Sequence, residues 1–346
     1  MIFIAGIGVI GYLFLRSLQG LKILKFPYLL ISLCAIVLTI MGLSNKGPLA
    51  RLLFAPSIVF RTDYWHAGWK MTTDHPIFGV GLDSYGDFYR QARGLISTLR
   101  TGPERISNTA HNIFLDISSN GGFPLLAIYL AINFIALRAA YRVLKSKKDI
   151  DPTFLAIFCV WIGYLVFSAI SINQVGVGIW GWLFTGALIG YEKSLTSETE
   201  IPEGVDRNRV RSKRGLKNSR KNKQLSPMSG LGMALGSIIG FSLAFIPFNA
   251  DVKYRSALNS RALDQMIAST RILGSSAFHS ELVLDTAISN NFSKQAQEIS
   301  DYLIARYPRD YMGWRARWAL KESSEEQKSE ALAKLKELDP FNPEFQ

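Results

Sequence analysis

Thr153-FLAIFCVWIGYLVFSAISINQVGVGIWGWLFTGALIG-Tyr191 contains no charged residue. Drawn out as one helix at 1.5 Å per residue it would be roughly 58 Å long, about twice the hydrocarbon core of a bilayer. It is therefore expected to fold as two membrane spans. The turn between them is placed at Ser171-Ile-Asn-Gln174, the clearly polar cluster inside the stretch.

Working outward from that pair, further apolar runs cover residues 26–43, 123–137 and 228–248. A shorter one, residues 2–15, falls below the roughly 20 residues a span needs and reads as the remnant of a longer helix, as if the N-terminus were truncated. The fold class expected is all-α: a polytopic membrane protein with about six transmembrane helices. Residues 1–191 form the transmembrane region, with a long loop at 45–112, and 192–227 form a basic linker. Residues 228–248 are the last span, and 249–346 a soluble tail. The 346 residues are 48% hydrophobic, with mean hydropathy +0.14 and formal net charge +12. In a membrane protein that basic excess marks cytoplasmic loops and need not mean nucleic acid. The loops at 16–25, 138–152 and 192–227 are all basic and thread onto one side, which the positive-inside rule makes the cytoplasm. The 45–112 loop and the tail then face outside. Cys34 and Cys159 lie in apolar blocks and are read as buried thiols without a disulfide framework. No secretory signal is evident, because the first apolar run has no positive n-region.

The tail has two segments of similar layout, residues 292–314 and 324–345, each with apolar positions at helical spacing leading to a proline, Pro308 and Pro340. The prolines are spaced near the period of tetratricopeptide-type helical hairpins, which present a concave binding face. A TPR-like helical domain is expected over 249–346, with Trp314, Trp318 and Leu335 at least partly buried. An ordinary small helical domain is the plainer alternative.

The long loop holds the residues with chemical potential. Asn108-Thr-Ala-His-Asn-Ile-Phe-Leu-Asp116 ends it, with His111 at the expected membrane edge. An imidazole there exchanges protons near neutral pH. A lone histidine beside a helix start is more often a cap or a satisfied polar group, so its neighbours in sequence matter. Arg61-Thr-Asp-Tyr-Trp65 lies upstream, and arginine grips phosphate with a planar fork of donors. Alone, Arg61 would most often contact a lipid headgroup. On a helix Arg61, Trp65 and Trp69 share one face; the indoles could stack on sugar or anchor at the interface. His66 and His75 with Asp74 suggest a metal site, but nine residues apart the two rings point to opposite sides of a helix, so no metal is expected. Arg90, Arg93, Arg100 and Arg105 make the loop basic. That suits an anionic substrate or a solvated surface.

In order, the loop reads Arg61 to Trp65, His75-Pro-Ile-Phe-Gly-Val-Gly-Leu82, Ala110-His-Asn-Ile-Phe-Leu115 and Asn120-Gly-Gly-Phe-Pro124. This ordered set, over about residues 26 to 191, resembles the O-antigen ligase and polymerase superfamily of bacterial membrane glycosyltransferases. The resemblance implies a protein of the bacterial plasma membrane, with its loop and tail extracytoplasmic, acting in cell-surface polysaccharide assembly. It implies transfer of a glycan from an undecaprenyl-pyrophosphate carrier to an acceptor hydroxyl, with inversion and without metal or cofactor. On that reading His111 is the general base and Arg61 stabilises the departing pyrophosphate. Asn112, Tyr64, Trp65, Arg90 and Arg93 are the candidate substrate-binding residues. Gly79 and Gly81 allow a tight turn. The partners are the lipid-linked donor and a glycan or lipid acceptor, with protein partners for the tail. Oligosaccharide transfer to a protein hydroxyl is the other enzymatic reading. A non-catalytic scaffold of a glycan-assembly complex is the alternative from another class. A transporter is disfavoured, because the expected spans lack the intramembrane charge that marks ion pathways.

Overall fold

The computed structural model describes residues 25–54, 56–146, 151–199 and 227–346. Among them there are helices and no strand. The apolar run at 2–15, the basic loop at 16–24 and most of the basic linker lie outside the described residues. The chain divides into two compact units near residue 201.

In the first unit the apolar run 26–43 forms α1 (Lys25–Leu43). Thr39, buried on α1, donates to the Ala35 carbonyl within the same helix. Cys34 is exposed on α1 and Cys159 partly buried, both as free thiols. The expected burial of Cys34 therefore does not hold: among the described residues the main packing of α1 is against the short helix α2 (Ala50–Leu53).

The long loop is mostly helical. α3 (Pro56–Asp74) begins with proline at its first position, where a missing N–H and a fixed φ cost nothing. α4 (Tyr85–Ala92) and α5 (Leu95–Thr101) follow. Tyr64, Ala67 and Met71 of α3, at helical spacing, bury against Tyr85, Tyr89 and Ala92 of α4 and against Ala110. Arg100 of α5 pairs with Asp63 of α3 at 3.2 Å.

α6 (Ile113–Ser146) is two helices joined at Gly122, whose φ of +71° is not helical. The second begins at Phe123 with Pro124 in its first turn. The first packs on α3, where Thr72 donates to the Gly68 carbonyl and its hydroxyl lies 2.9 Å from that of Ser118. α7 (Pro152–Ser168) and α8 (Val175–Thr199) follow, and the uncharged stretch turns at residues 169–174, as its polar cluster suggested. α6 to α8 share a core of Ala136, Ala140, Val143, Phe154, Phe158, Trp161 and Leu188. Trp161 donates to Thr185 at 2.9 Å, and the Thr185 hydroxyl donates in turn to the Gly181 carbonyl, so the polar pair between α7 and α8 is satisfied.

The second unit starts with α9 (Pro227–Ser260), one unbroken helix in which the apolar run 228–248 continues directly into the tail. Among the described residues α6 and α9 are long and apolar enough to cross a membrane; residues 33–42 and α7 are apolar but shorter. The tail adds α10 (Leu263–Thr270), α11 (Ala277–Ser289), α12 (Ser293–Arg306), α13 (Tyr311–Ala319) and α14 (Glu325–Leu338). Each packs on the next. One core gathers Tyr254, Val283, Leu284, Ile299 and Leu303, a second Ile304, Trp314, Ala331, Leu335 and Leu338. Trp314 and Leu335 are buried and Trp318 partly so. α14 starts with a capping box between Ser324 and Gln327.

Candidate functional site

Two of the loop's short sequence motifs meet in space. The Pro76–Gly81 turn lies against the break in α6. Phe123 N donates to Pro76 O at 2.8 Å, Val80 N to Ser119 O at 2.8 Å and Gly81 N to Asn120 O at 3.2 Å. The Asn120 carboxamide oxygen also accepts from Ser84 N. These bonds take up main-chain groups that the break at Gly122 leaves without helical partners. Both glycines at the junction have positive φ. A Cβ on Gly79 would lie 2.4 Å from the Asn120 carbonyl carbon, and one on Gly122 would lie 2.4 Å from Ile77 O. Only glycine fits at either position.

His111 sits just before α6 with φ +52°, a left-handed conformation that non-glycine residues seldom take. Three contacts hold it there. Its N–H donates to Thr109 Oγ1 at 3.3 Å. Its ring stacks on Tyr64 with centroids 5.3 Å apart. The preceding residue, Ala110, is fully buried and donates its N–H to Asp116 Oδ1 at 2.6 Å. Burial, and then the positive charge of Arg61, push the His111 pKa below its usual value. The imidazole is therefore mostly neutral at pH 7, the form that accepts a proton.

Arg61 is partly buried one turn before Tyr64 on α3 and, among the described residues, has neither an ion-pair nor a hydrogen-bond partner. The structure thus brings three candidates together: a neutral imidazole, a tyrosine ring behind it and an unengaged guanidinium whose charge reaches the imidazole. Trp65 packs partly buried beside this group, with its Nε1 lacking a hydrogen-bond partner. Trp69 is exposed, edge-on to Phe123.

The remaining candidates have structural contacts. Asn112 Oδ1 accepts from Phe114 N at 3.0 Å and Leu115 N at 3.2 Å, capping α6. Arg90 and Arg93 are buried, donating to the carbonyls of Pro103 at 2.6 Å and Arg105 at 3.0 Å, so they fasten the 102–107 segment to α4. His66 and His75 lie on the exposed surface, His75 edge-on to Phe88.

Asp116 is the residue whose part in this arrangement was not foreseen, although it closes the motif stretch. Its signal was visible: it is the only charged residue between Arg105 and Arg138. It precedes the break at Gly122 and so lies ahead of the apolar segment that begins at Phe123. Burial raises its pKa to about 6, against the lowering effect of the Ala110 hydrogen bond. Tyr85 nearby is buried, its hydroxyl donating to Tyr64 O at 2.6 Å.

The model of the O-antigen ligase family matches residues 1–130. That span takes in Arg61, the Pro76–Gly81 turn, His111 and the break at Gly122, and stops inside α6. No curated protein and no solved structure matches the chain. The resemblance read from the loop motifs thus coincides with the matched residues over the part that builds the site.

Proposed function

We propose that this chain, of the O-antigen ligase family over its first 130 residues, is a membrane glycosyltransferase of cell-surface polysaccharide assembly. It moves or polymerises a glycan from an undecaprenyl-pyrophosphate carrier onto an acceptor hydroxyl. The observation that carries this reading is the partly buried, unengaged Arg61 beside a neutral His111. His111 takes the proton of the acceptor hydroxyl as its oxygen attacks the anomeric carbon. The bond from that carbon to the phosphate oxygen breaks as the new glycosidic bond forms, a single displacement that inverts the centre. The departing pyrophosphate gathers negative charge, which Arg61 meets with charge-assisted hydrogen bonds. Tyr64 backs the imidazole, while Trp65 and Asn112 face sugar. Arg90 and Arg93 act on substrate indirectly, by holding the 102–107 segment in place. No metal or cofactor enters this scheme, because the guanidinium supplies the positive charge.

In topology, α1, the part of α6 after Gly122 and α7 to α9, with one further span, are the roughly six membrane helices. The basic stretch after Thr199 is cytoplasmic, and the α2–α5 region and a TPR-like tail lie outside. The test is glycan transfer from a lipid-pyrophosphate donor in membranes. A general base contributes about 10²–10⁴-fold, so His111→Ala should fall by that factor with insertion intact. Arg61→Lys keeps the charge, loses the fork and should also be severely impaired. Wild-type rates in His111→Ala would sink the mechanism, unchanged turnover with lost partner pull-down would favour a scaffold, and a chelator-sensitive wild type would reject the metal-free scheme.

A further inference from the structure

We infer that Leu273 and Phe278, at the α10–α11 corner, form an apolar wedge seated in the lipid bilayer interface beside the end of α9. α9 supplies a depth scale. It has no charged residue from Pro227 through Ala250, and the first charge is Asp251, followed by Lys253 and Arg255. Its long apolar side chains before that point, Phe241, Leu243, Phe245 and Phe248 among them, are exposed among the described residues.

The corner returns against this helix below the first charge. Gly274 has φ +90°, and a Cβ there would lie 2.6 Å from Ile246 Cγ2 and 2.8 Å from Ile246 O. Main chain and helix are therefore in contact at Ile246. Ile246 is five residues before Asp251, about 7.5 Å along the axis at 1.5 Å per residue. Apolar groups of interfacial elements bury roughly 5–10 Å past the headgroup boundary, so the corner sits at that depth.

A second attachment fixes it. His279 stacks on Tyr254 with centroids 4.2 Å apart. Its Nε2 lies 3.6 Å from Asp251 Oδ1, and its Nδ1 lies 3.3 Å from Ser275 Oγ. Held at Ile246 and at Tyr254, the corner turns Leu273 outward at 78% exposure and Phe278 at 60%, alongside Phe248 at 63%. All three are large apolar side chains left exposed at this end of α9. Around them stand cations suited to headgroups: Lys253, Arg255 paired with Asp251 at 2.8 Å, and Arg271 paired with Glu298. The bilayer that surrounds α9 therefore also covers the corner, and the wedge fixes the tilt of the tail helices on the membrane.

The experiment uses the full chain in phospholipid vesicles, with Cys34 and Cys159 replaced by alanine. An environment-sensitive fluorophore is placed by Leu273→Cys, and for comparison by Glu325→Cys on α14. Both sites are exposed, so neither substitution disturbs packing. At Leu273 the emission should be blue-shifted, quenched by lipids carrying a nitroxide high on the acyl chain, and several-fold less quenched by aqueous iodide than at Glu325. Iodide quenching equal to that at Glu325 would overturn the inference. So would shielding from both iodide and nitroxide lipid, which would mean that protein covers the corner.

Discussion

Replacing Gly79 by alanine tests whether the turn at Pro76–Gly81 holds the break in α6. Alanine at φ +64° carries a left-handed penalty of roughly 1–2 kcal/mol. Its Cβ would also stand 2.4 Å from the Asn120 carbonyl carbon, 2.5 Å from Gly121 N and 2.5 Å from Ser119 O. All three are backbone atoms, so no side chain can swing aside and the turn must move. Moving it strains the bonds from Val80 N, Gly81 N and Phe123 N. At about 0.5–1.5 kcal/mol each, their loss adds roughly 1.5–4.5 kcal/mol. The expected destabilisation is thus about 2.5–6.5 kcal/mol. Gly102→Ala is the matched control, because Gly102 also has positive φ, +84°, but a Cβ there meets nothing within 4 Å. It should lose only the conformational penalty, about 1–3 kcal/mol for alanine at φ +84° and ψ +158°. Thermal unfolding in detergent, with hydrogen exchange followed at Val80 and Phe123, measures both. Equal melting points and equal exchange in the two variants would refute the reasoning, since only the backbone contact separates them.

Asp116→Asn should make stability less dependent on pH. The folded-state pKa of about 6 lies above the roughly 3.9 of a free carboxylate. The folded protein therefore holds this proton more tightly, and stability falls as pH rises from about 4 to about 6, the full cost standing above that window. Asparagine can still accept from Ala110 N, so it should gain up to about 3 kcal/mol at pH 8 and nothing at pH 4; equal melting of wild type and variant at pH 8 would contradict it. Thr185→Val removes the acceptor of Trp161 Nε1 between α7 and α8 and should cost about 1 kcal/mol, the scale of hydrogen bonds between membrane helices; an unchanged unfolding midpoint would deny that bond a role. For topology, a membrane-impermeant thiol reagent added outside intact cells should label Asn290→Cys in the tail and not Ser212→Cys in the basic stretch; the reverse pattern would invert the proposed orientation.

Composition and order along the chain determined a good deal. An uncharged stretch too long for one span had to turn, and it turns at residues 169–174, where its polar cluster lies. Bilayer length and charge are properties of sequence, so that reading needed no tertiary information. The order of Arg61, the glycine turn, His111 and Asn120–Pro124 was likewise legible, and it coincides with the region matched by the O-antigen ligase family. The fate of each polar side chain was not. Arg90, Arg93 and Arg61 look alike as basic residues of one loop, yet Arg90 and Arg93 bury against the carbonyls of Pro103 and Arg105 while Arg61 has no partner among the described residues. Asn112 caps a helix, and Asp116 reaches back to Ala110 to hold the backbone of His111. The pairing of the 76–81 turn with the break at Gly122 joins main-chain groups some forty residues apart. Hydrogen bonds between backbones carry no side-chain signature, so only the folded chain decides which carbonyl each donor finds.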